Sequence, residues 1–110
     1  MSITFRIPIE TVSLTNVREH WAKKARRAKA QRSAAFVMTA PIVRMGLPLT
    51  VMLTRISPRA LDDDNLRGAL KSIRDGIADR LGLDDRDERV TWRYAQAKGK
   101  ERAVEVRVTT

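Results

Sequence analysis

The sequence predicts an α/β (α+β) domain, a small mixed sheet with two helices in the order β-α-β-α-β-β. Short runs of alternating apolar residues predict the strands, and two longer segments with helical spacing predict the helices. A length of 110 residues suits one domain with one core, so a single domain over residues 1–110 is expected. No apolar run is long enough for a membrane span, and the first ten residues do not have the pattern of a signal peptide.

The chain opens with a predicted strand and a long predicted helix. The strand ends near Pro8, and its alternating apolar residues are Ile3, Phe5, Ile7 and Ile9. Asn16, followed by Glu19 at capping-box spacing, is the expected N-cap of a helix over residues 17–38, which stops before Pro41. The expected apolar seam of this helix consists of Val17, Trp21, Ala25, Ala28 and Phe36.

Residues 49–56 and 65–81 predict the second strand and the second helix. The strand is apolar on both faces, which is typical of a central position in a sheet. Gly82 is the expected C-cap of the helix, and Gly68 and Gly76 are expected to mark close packing, because each costs ~1 kcal/mol relative to alanine. The helical core positions are Leu66, Leu70, Ile73, Ile77 and Leu81.

Two more strands follow, and a turn at residues 98–100 predicts that they form a C-terminal hairpin. The alternating apolar residues of these two strands are Val90, Trp92 and Tyr94 in the first, and Val104, Val106 and Val108 in the second.

The charge of the chain predicts a polyanionic partner, most often nucleic acid. Lysine and arginine number 22 against 13 acids, a net charge of +9, although a ribosome-associated or merely basic protein would have the same balance. The absence of cysteine excludes disulfides and thiolate metal sites, and it fits a cytoplasmic protein. The residues expected to contact nucleic acid are Asn16, Arg18, His20, Lys23, Lys24, Arg26, Arg27, Lys29, Arg32, Arg55 and Arg59.

The acids are concentrated in two groups. Nine of the 13 lie in residues 62–88, in a run at 62–64 before the second helix and a cluster at 84–88 before the third strand. One aspartate is enough to cap a helix, whereas three adjacent ones repel each other. A metal site on the one hand, and a helix cap with a solvated turn on the other, are both open interpretations.

The metal interpretation depends on geometry. Asp62 and Asp64 project to one side of an extended segment, and Asp84 or Asp85 reaches them if the third strand starts beside the end of the second. Three carboxylates would suit Mg²⁺ or Mn²⁺. A calcium loop counted from Asp62 is excluded, because a leucine and an arginine stand at positions 66 and 67, where it needs an oxygen ligand and a glycine.

Lys71 follows Asp64 by two helical turns on the same face and could contact a scissile phosphate. The alternative is a surface lysine paired with Asp75 at i+4.

The acidic pattern resembles that of the RusA family of crossover junction endodeoxyribonucleases, which resolve Holliday junctions, and most of all its short phage or prophage members. The shared pattern is Asp-x-Asp-Asn-Leu at the start of a helix, here residues 62–66, and Asp-Asp before a strand, here Asp84 and Asp85. The similarity covers most of the chain in order, and the acidic motif is its specific part. The polar N-terminal stretch is also similar to that of the family, with Ser13, Asn16, Arg18, His20 and Trp21.

The resemblance implies a Mg²⁺-dependent nuclease, with Mn²⁺ as the alternative ion, that acts on four-way DNA junctions in recombination and repair without a small-molecule cofactor. The catalytic and metal-binding acids would be Asp62, Asp64 and Asp85. The family's catalytic lysine position holds Gly68 here, and Lys71, one turn later, is the candidate for that role.

The resemblance also implies a homodimer, because paired cuts in a junction need two sites related by a two-fold axis. Trp92, Tyr94 and the valines of the predicted hairpin are the expected dimer surface. The alternative function is a non-enzymatic, basic DNA- or RNA-binding module whose acids cap a helix.

Overall fold

The computed structural model describes residues 1–11 and 21–110, and the expected α+β architecture is confirmed. The expected N-cap Asn16, and the start of the first helix up to residue 20, lie outside the described residues. No helix in the described ranges is long and apolar enough to cross a membrane. The elements are β1 (Ser2–Ile7), α1 (Trp21–Met38), a 3₁₀ helix (Ala40–Arg44), β2 (Leu49–Ser57), α2 (Asp63–Leu81), β3 (Val90–Lys98) and β4 (Ala103–Thr109).

The four strands form one sheet in the order β1-β4-β2-β3. β4 is antiparallel to both β1 and β2, whereas β2 and β3 are parallel, with Leu49 beside Val90. β1, β2 and β3 therefore run in the same direction, and their carboxyl ends lie at one edge of the sheet. The predicted C-terminal hairpin is wrong, because β2 lies between β3 and β4.

The hydrophobic core lies between one face of the sheet and the helices. On β2, Val51 and Leu53 are fully buried, and β4 buries Val104, Val106 and Val108 on the same face. These valines are core residues, so the expectation that they form a dimer surface is wrong. Trp92 and Tyr94 are partly buried against the same core. The helical core positions predicted for α2 are confirmed, with Leu66, Leu70, Ile73 and Ile77 buried and Leu81 partly buried.

The two helices approach each other most closely at Gly76. A Cβ atom at this position would overlap the carbonyl oxygen of Arg32 in α1, which confirms the expected close packing there. The apolar seam expected for α1 is wrong: its buried residues are Gln31 and Ala35, and Trp21 is 76% exposed. Close contact between two helical backbones requires small side chains, and Ala35 meets this requirement where a large aromatic residue would not.

Candidate functional site

The segment that leads into the acidic motif is fixed to the carboxyl edge of the sheet by two side chains. Gln96 of β3 accepts a hydrogen bond from the backbone N–H of Leu61 at 2.8 Å and donates to its carbonyl oxygen at 2.6 Å. Arg55 of β2 donates from Nη1 to the carbonyl oxygen of Arg59 at 2.7 Å. Open α/β sheets bind their ligands at the carboxyl ends of parallel strands, and the motif is held at that edge.

Arg55 is a structural residue, so its expected contact with nucleic acid is corrected. Its side chain lies on the core face of β2, next in the alternation after Val51 and Leu53, and the residue is only 7% exposed. The guanidinium also donates to the Thr11 hydroxyl at 2.9 Å and to the Thr11 carbonyl oxygen at 3.3 Å. Burial, with a smaller contribution from the positive charge of Arg102, lowers the pKa of Arg55 from its ordinary value. Its hydrogen bonds are made to protein oxygens and leave phosphate little access.

Asp62 caps α2, and its two neighbours remain exposed. The Asp62 carboxylate accepts a hydrogen bond from the Asn65 backbone N–H at 3.0 Å, as an N-cap residue does. Asp63 and Asp64 occupy the first helical turn, where the positive end of the helix dipole favours negative charge. Neither carboxylate forms an ion pair with another described residue. The other end of α2 is capped as predicted by Gly82, whose φ is 68°.

The second acidic cluster lies elsewhere. Asp84 and Asp85 line a cavity of about 190 Å³ together with Asp75 and Asp79, and Arg32 also lines it. Arg32 donates from Nη2 to Asp79 at 2.8 Å, and this hydrogen bond lowers the pKa of the Asp79 carboxyl below its ordinary value. An arginine therefore supplies the positive charge among these carboxylates.

Asp85 is held away from the motif by Arg74. Arg74 donates from Nη2 to the Asp85 carbonyl oxygen at 2.6 Å, and its Nε lies 3.5 Å from the Asp85 carboxylate. Arg74 comes ten residues after Asp64, a rise of about 15 Å along the helix. The geometry required for a shared site is also missing, because β3 starts beside the start of β2 and not beside its end.

The described residues do not contain a preformed site for the implied magnesium ion. Within residues 1–11 and 21–110, no group of three or more histidine, aspartate or glutamate side chains lies close enough to hold a metal. Asp62, Asp64 and Asp85 are therefore not brought together, and their role as metal ligands stays a prediction. The predicted order could have indicated this, because a helix that connects two strands of one sheet joins them in parallel and places the start of β3 beside the start of β2.

Lys71 forms an ion pair with Asp75, as expected for the interpretation of Lys71 as a surface lysine without a catalytic role. Its Nζ lies 3.3 Å from the Asp75 carboxylate at i+4, on an exposed part of α2. Such pairs on a helix surface contribute about 0.3–0.5 kcal/mol. The lysine remains accessible, and a role in catalysis stays a prediction.

A shallow cavity next to the motif is lined in part by residues that the sequence analysis did not assign to a site, among them Arg67 and Arg93. It measures about 390 Å³ and lies along β3, the edge strand. The guanidinium of Arg67 lies 5.7 Å from the centre of the Tyr94 ring, and the Tyr94 hydroxyl accepts a hydrogen bond from Arg74 at 2.8 Å. Arg67 lies one turn after Asp64, a helical spacing that could have identified it. The lining residues are Met52, Asp63, Leu66, Arg67, Trp92, Arg93 and Tyr94.

The expected basic surface is present on α1 in its described part. The helix has six basic residues and no acid, and Lys23, Arg26 and Lys29 are exposed. Lys24 and Arg27 are partly exposed, and Arg59 is exposed on the loop after β2. Arg32 differs, since Asp79 and Asp75 already neutralise its charge. Asn16, Arg18 and His20 lie outside the described residues.

The turn before β3 has the structure expected of a solvated turn. The Asp84 carboxylate accepts a hydrogen bond from the Arg86 backbone N–H at 2.9 Å, which lowers the pKa of Asp84. Asp87 accepts hydrogen bonds from the side chain and the backbone of Arg89, and these lower its pKa to about 2. These carboxylates are negatively charged at neutral pH and are used in local hydrogen bonds.

The chain is similar to part of a known bacterial protein. No protein-family model matches the chain. An "Uncharacterized protein" of Xylella fastidiosa (strain Temecula1 / ATCC 700964) is 38% identical in an alignment of 96 residues, and the match covers 77% of this chain. The match spans 60% of that relative's length, so the chain is similar to part of a longer protein. The similarity supports a shared origin for this segment and supplies no functional name.

Proposed function

We propose that the protein binds branched DNA and cuts its phosphodiester backbone, as the resemblance to the RusA family implies, and that it acts in the cytoplasm as a homodimer. The observation that carries the proposal is α1, whose described part has no acid and has five basic residues, at positions 23, 24, 26, 27 and 29, besides the neutralised Arg32. Such a surface binds the phosphate backbone through contacts that do not read the bases.

The position of the acidic motif supports the second half of the proposal. Asp63 and Asp64 are exposed at the start of α2, where Gln96 and Arg55 hold the preceding segment at the carboxyl edge of the sheet. Arg67, in the cavity beside Asp63, is a cation available to a phosphate group. Exposed carboxylates next to a bound phosphate can orient a water molecule and accept its proton.

The test is a nicking assay on a four-way junction, with either Mg²⁺ or Mn²⁺ and with EDTA as the metal-free control. We expect cleavage by the wild type with metal, and at least a hundredfold loss for Asp64→Asn with folding and DNA affinity retained. Asp63→Asn removes the same charge from the carboxylate that lies in the cavity with Arg67, and the larger loss of the two variants identifies the carboxylate that acts. Glu88→Gln, which removes one exposed negative charge from the turn before β3, is the matched control and should have a much smaller effect. Cleavage by Asp64→Asn at the wild-type rate would show that Asp64 does not take part in catalysis.

A non-enzymatic nucleic-acid-binding module is the second candidate, and specific contacts favour it. Asp62 caps a helix, Asp85 is bound by Arg74 and Asp87 by Arg89, so these acids already have structural partners. Junction binding without nicking in either metal would select this candidate. Tighter binding of RNA than of the junction would indicate a partner such as structured RNA.

A further inference from the structure

The face of the sheet that points away from the core is not covered by any described element. Along β2, burial alternates: Val51 and Leu53 are fully buried, whereas Thr50, Met52 and Thr54 on the other face are all partly exposed. Both helices pack on the core side, as expected when successive parallel strands are connected in the same direction across a sheet. The opposite side, termed here the outer face, is formed by strand residues within the part of the chain that the structure describes.

Two arginines lie at the centre of the outer face. Met52 is paired with Arg107 on β4 and with Arg93 on β3, so the three side chains form one row across the sheet. Neighbouring strands are about 4.8 Å apart, which places the two arginine positions roughly 10 Å from each other. Both arginines are exposed, and neither side chain forms a hydrogen bond or ion pair with another described residue. They are therefore two cations available to a ligand. Arg93 also lines the cavity beside Asp63, where the outer face meets the β3 edge.

A second row of the outer face consists of hydroxyl groups. The strand register places Ser2 beside Thr109, Thr109 beside Thr50, and Thr50 beside Thr91, so this row crosses all four strands. Arginine, serine and threonine are among the side chains that contact phosphate oxygens in protein–DNA complexes. The two adjacent rows together match the chemistry of a phosphate backbone.

Aromatic rings are absent from the strand positions of the outer face. Trp92 and Tyr94 alternate to the core side, where Arg74 lies 4.7 Å from the centre of the Trp92 ring. Proteins that bind unpaired bases on a sheet use exposed aromatic rings for stacking. The strand positions of the outer face lack such rings, so the face is better suited to bind the phosphate backbone of a duplex than the bases of a single strand.

We propose that the outer face, centred on Arg93 and Arg107, is a second docking surface for the phosphate backbone of duplex DNA. This inference rests on the proposed function and deepens it. α1 presents its basic residues on the opposite side of the sheet, across a layer of strands and a layer of helices, roughly 20 Å in all. Two basic surfaces on opposite sides hold two duplex arms, which a branched molecule offers and a short linear duplex does not.

A second copy of the chain is disfavoured as the occupant of the outer face. Of the three arginines at outward strand positions, Arg6 already pairs with Glu101 at 3.1 Å, which leaves Arg93 and Arg107 against one acid, Glu105. Stacking two such faces about a two-fold axis would bring like charges together without enough acids to compensate them. A polyanion has the complementary charge.

The experiment compares the binding of a labelled four-way junction and of a linear duplex at several salt concentrations, by fluorescence anisotropy in EDTA. We expect Arg93→Gln with Arg107→Gln to flatten the log–log salt slope for the junction by about 2, since each lost phosphate contact removes about 0.9. The slope for the linear duplex should change by less than about 1, because α1 still binds it. Arg93→Lys with Arg107→Lys retains the charge and should retain the slope for the junction.

The matched control is Arg44→Gln with Arg86→Gln, which removes two exposed arginines outside the sheet. An equal effect of the control pair and the Arg93/Arg107 pair would overturn the inference. A second result would also overturn it: the Arg93/Arg107 variant is a monomer by light scattering where the wild type is a dimer, and its salt slope is unchanged. That result would assign the outer face to a second copy of the chain. Since binding is measured without metal, a wild type that binds junctions but never nicks them contradicts the proposed nuclease activity alone.

Discussion

Gly76 of α2 lies directly against the main chain of Arg32 in α1. A Cβ atom at position 76 would overlap the Arg32 carbonyl oxygen and stand 2.8 Å from the Cβ of Ala35. This contact sets the distance between the two helices. It also brings Arg32 to Asp79 and Asp75, and thereby places a positive charge among the acids of α2.

Gly76→Ala should destabilise the protein by about 1–3 kcal/mol, the usual cost of overpacking. Alanine gains up to about 1 kcal/mol of helix propensity, but a backbone oxygen cannot move aside as a flexible side chain can. The measurement is chemical denaturation followed by circular dichroism. Gly46→Ala is the control, because a Cβ at position 46 would meet nothing within 4 Å. Equal stability of the two variants would contradict the close contact.

Arg55→Met should lower the free energy of unfolding by about 2–4 kcal/mol, since the oxygens of Thr11 and Arg59 lose their charged donor. Under conditions in which Arg55→Met is folded, its DNA binding should have the same salt slope as the wild type, because Arg55 is buried. Arg59→Met, at an exposed position, should be within about 0.5 kcal/mol of wild type. A flatter salt slope for Arg55→Met would restore the original expectation that Arg55 contacts DNA.

Arg89→Ala should raise the pKa of Asp87 from about 2 towards its ordinary value of 3.8. The pKa is depressed in the folded state, so the pair's contribution to stability is complete above the ordinary pKa and is lost as the pH falls towards 2. An NMR titration of the Asp87 carboxyl carbon measures the midpoint directly. Arg86→Ala removes the same charge without contacting Asp87 and should leave the midpoint in place. An unchanged midpoint in Arg89→Ala would mean that the backbone hydrogen bond alone holds the pKa down.

Replacement of Lys23, Lys24, Arg26 and Arg27 by alanine should flatten the salt slope for duplex binding by ~2 or more. Alanine favours the helix, so circular dichroism should show no loss of helical content. Exchanging lysine and arginine at the same four positions keeps the charge and should keep the slope. A slope that survives the alanine variant would show that DNA binds elsewhere on the protein.

The order of the elements followed from the sequence because each segment has one clear period. Leu66, Leu70, Ile73 and Ile77 repeat at helical spacing, and Val104, Val106 and Val108 alternate, so both sets were correctly assigned to elements. Alternation reports which face a residue occupies and not which strand lies beside it. For this reason the pattern suggested a hairpin where β4 in fact lies between β1 and β2.

The candidate site was harder to predict because charge alone does not reveal burial. Arg55 was expected at the surface, yet it continues the series of Leu49, Val51 and Leu53, and this alternation could have placed it on the core face. The helix between β2 and β3 indicates parallel strands and so places Asp85 at the end of the sheet away from Asp62, whereas its contact with Arg74 could not be predicted from spacing. The basic surface of α1 could be predicted because the helix has six basic residues and no acid, so none of its charges is compensated by a carboxylate of the same helix.

The position of β4 in the middle of the sheet has a consequence for synthesis on the ribosome. β1 begins at the second residue. β1 and β2 both pair with β4, however, and β4 consists of residues 103–109, which are synthesised much later. A nascent chain that ends before this segment has β1 without any strand partner and an apolar β2 edge open to other chains. The sheet therefore closes only after nearly all of these residues have left the exit tunnel, and its long-range pairing makes slow folding and a need for chaperones the expected behaviour in the cell.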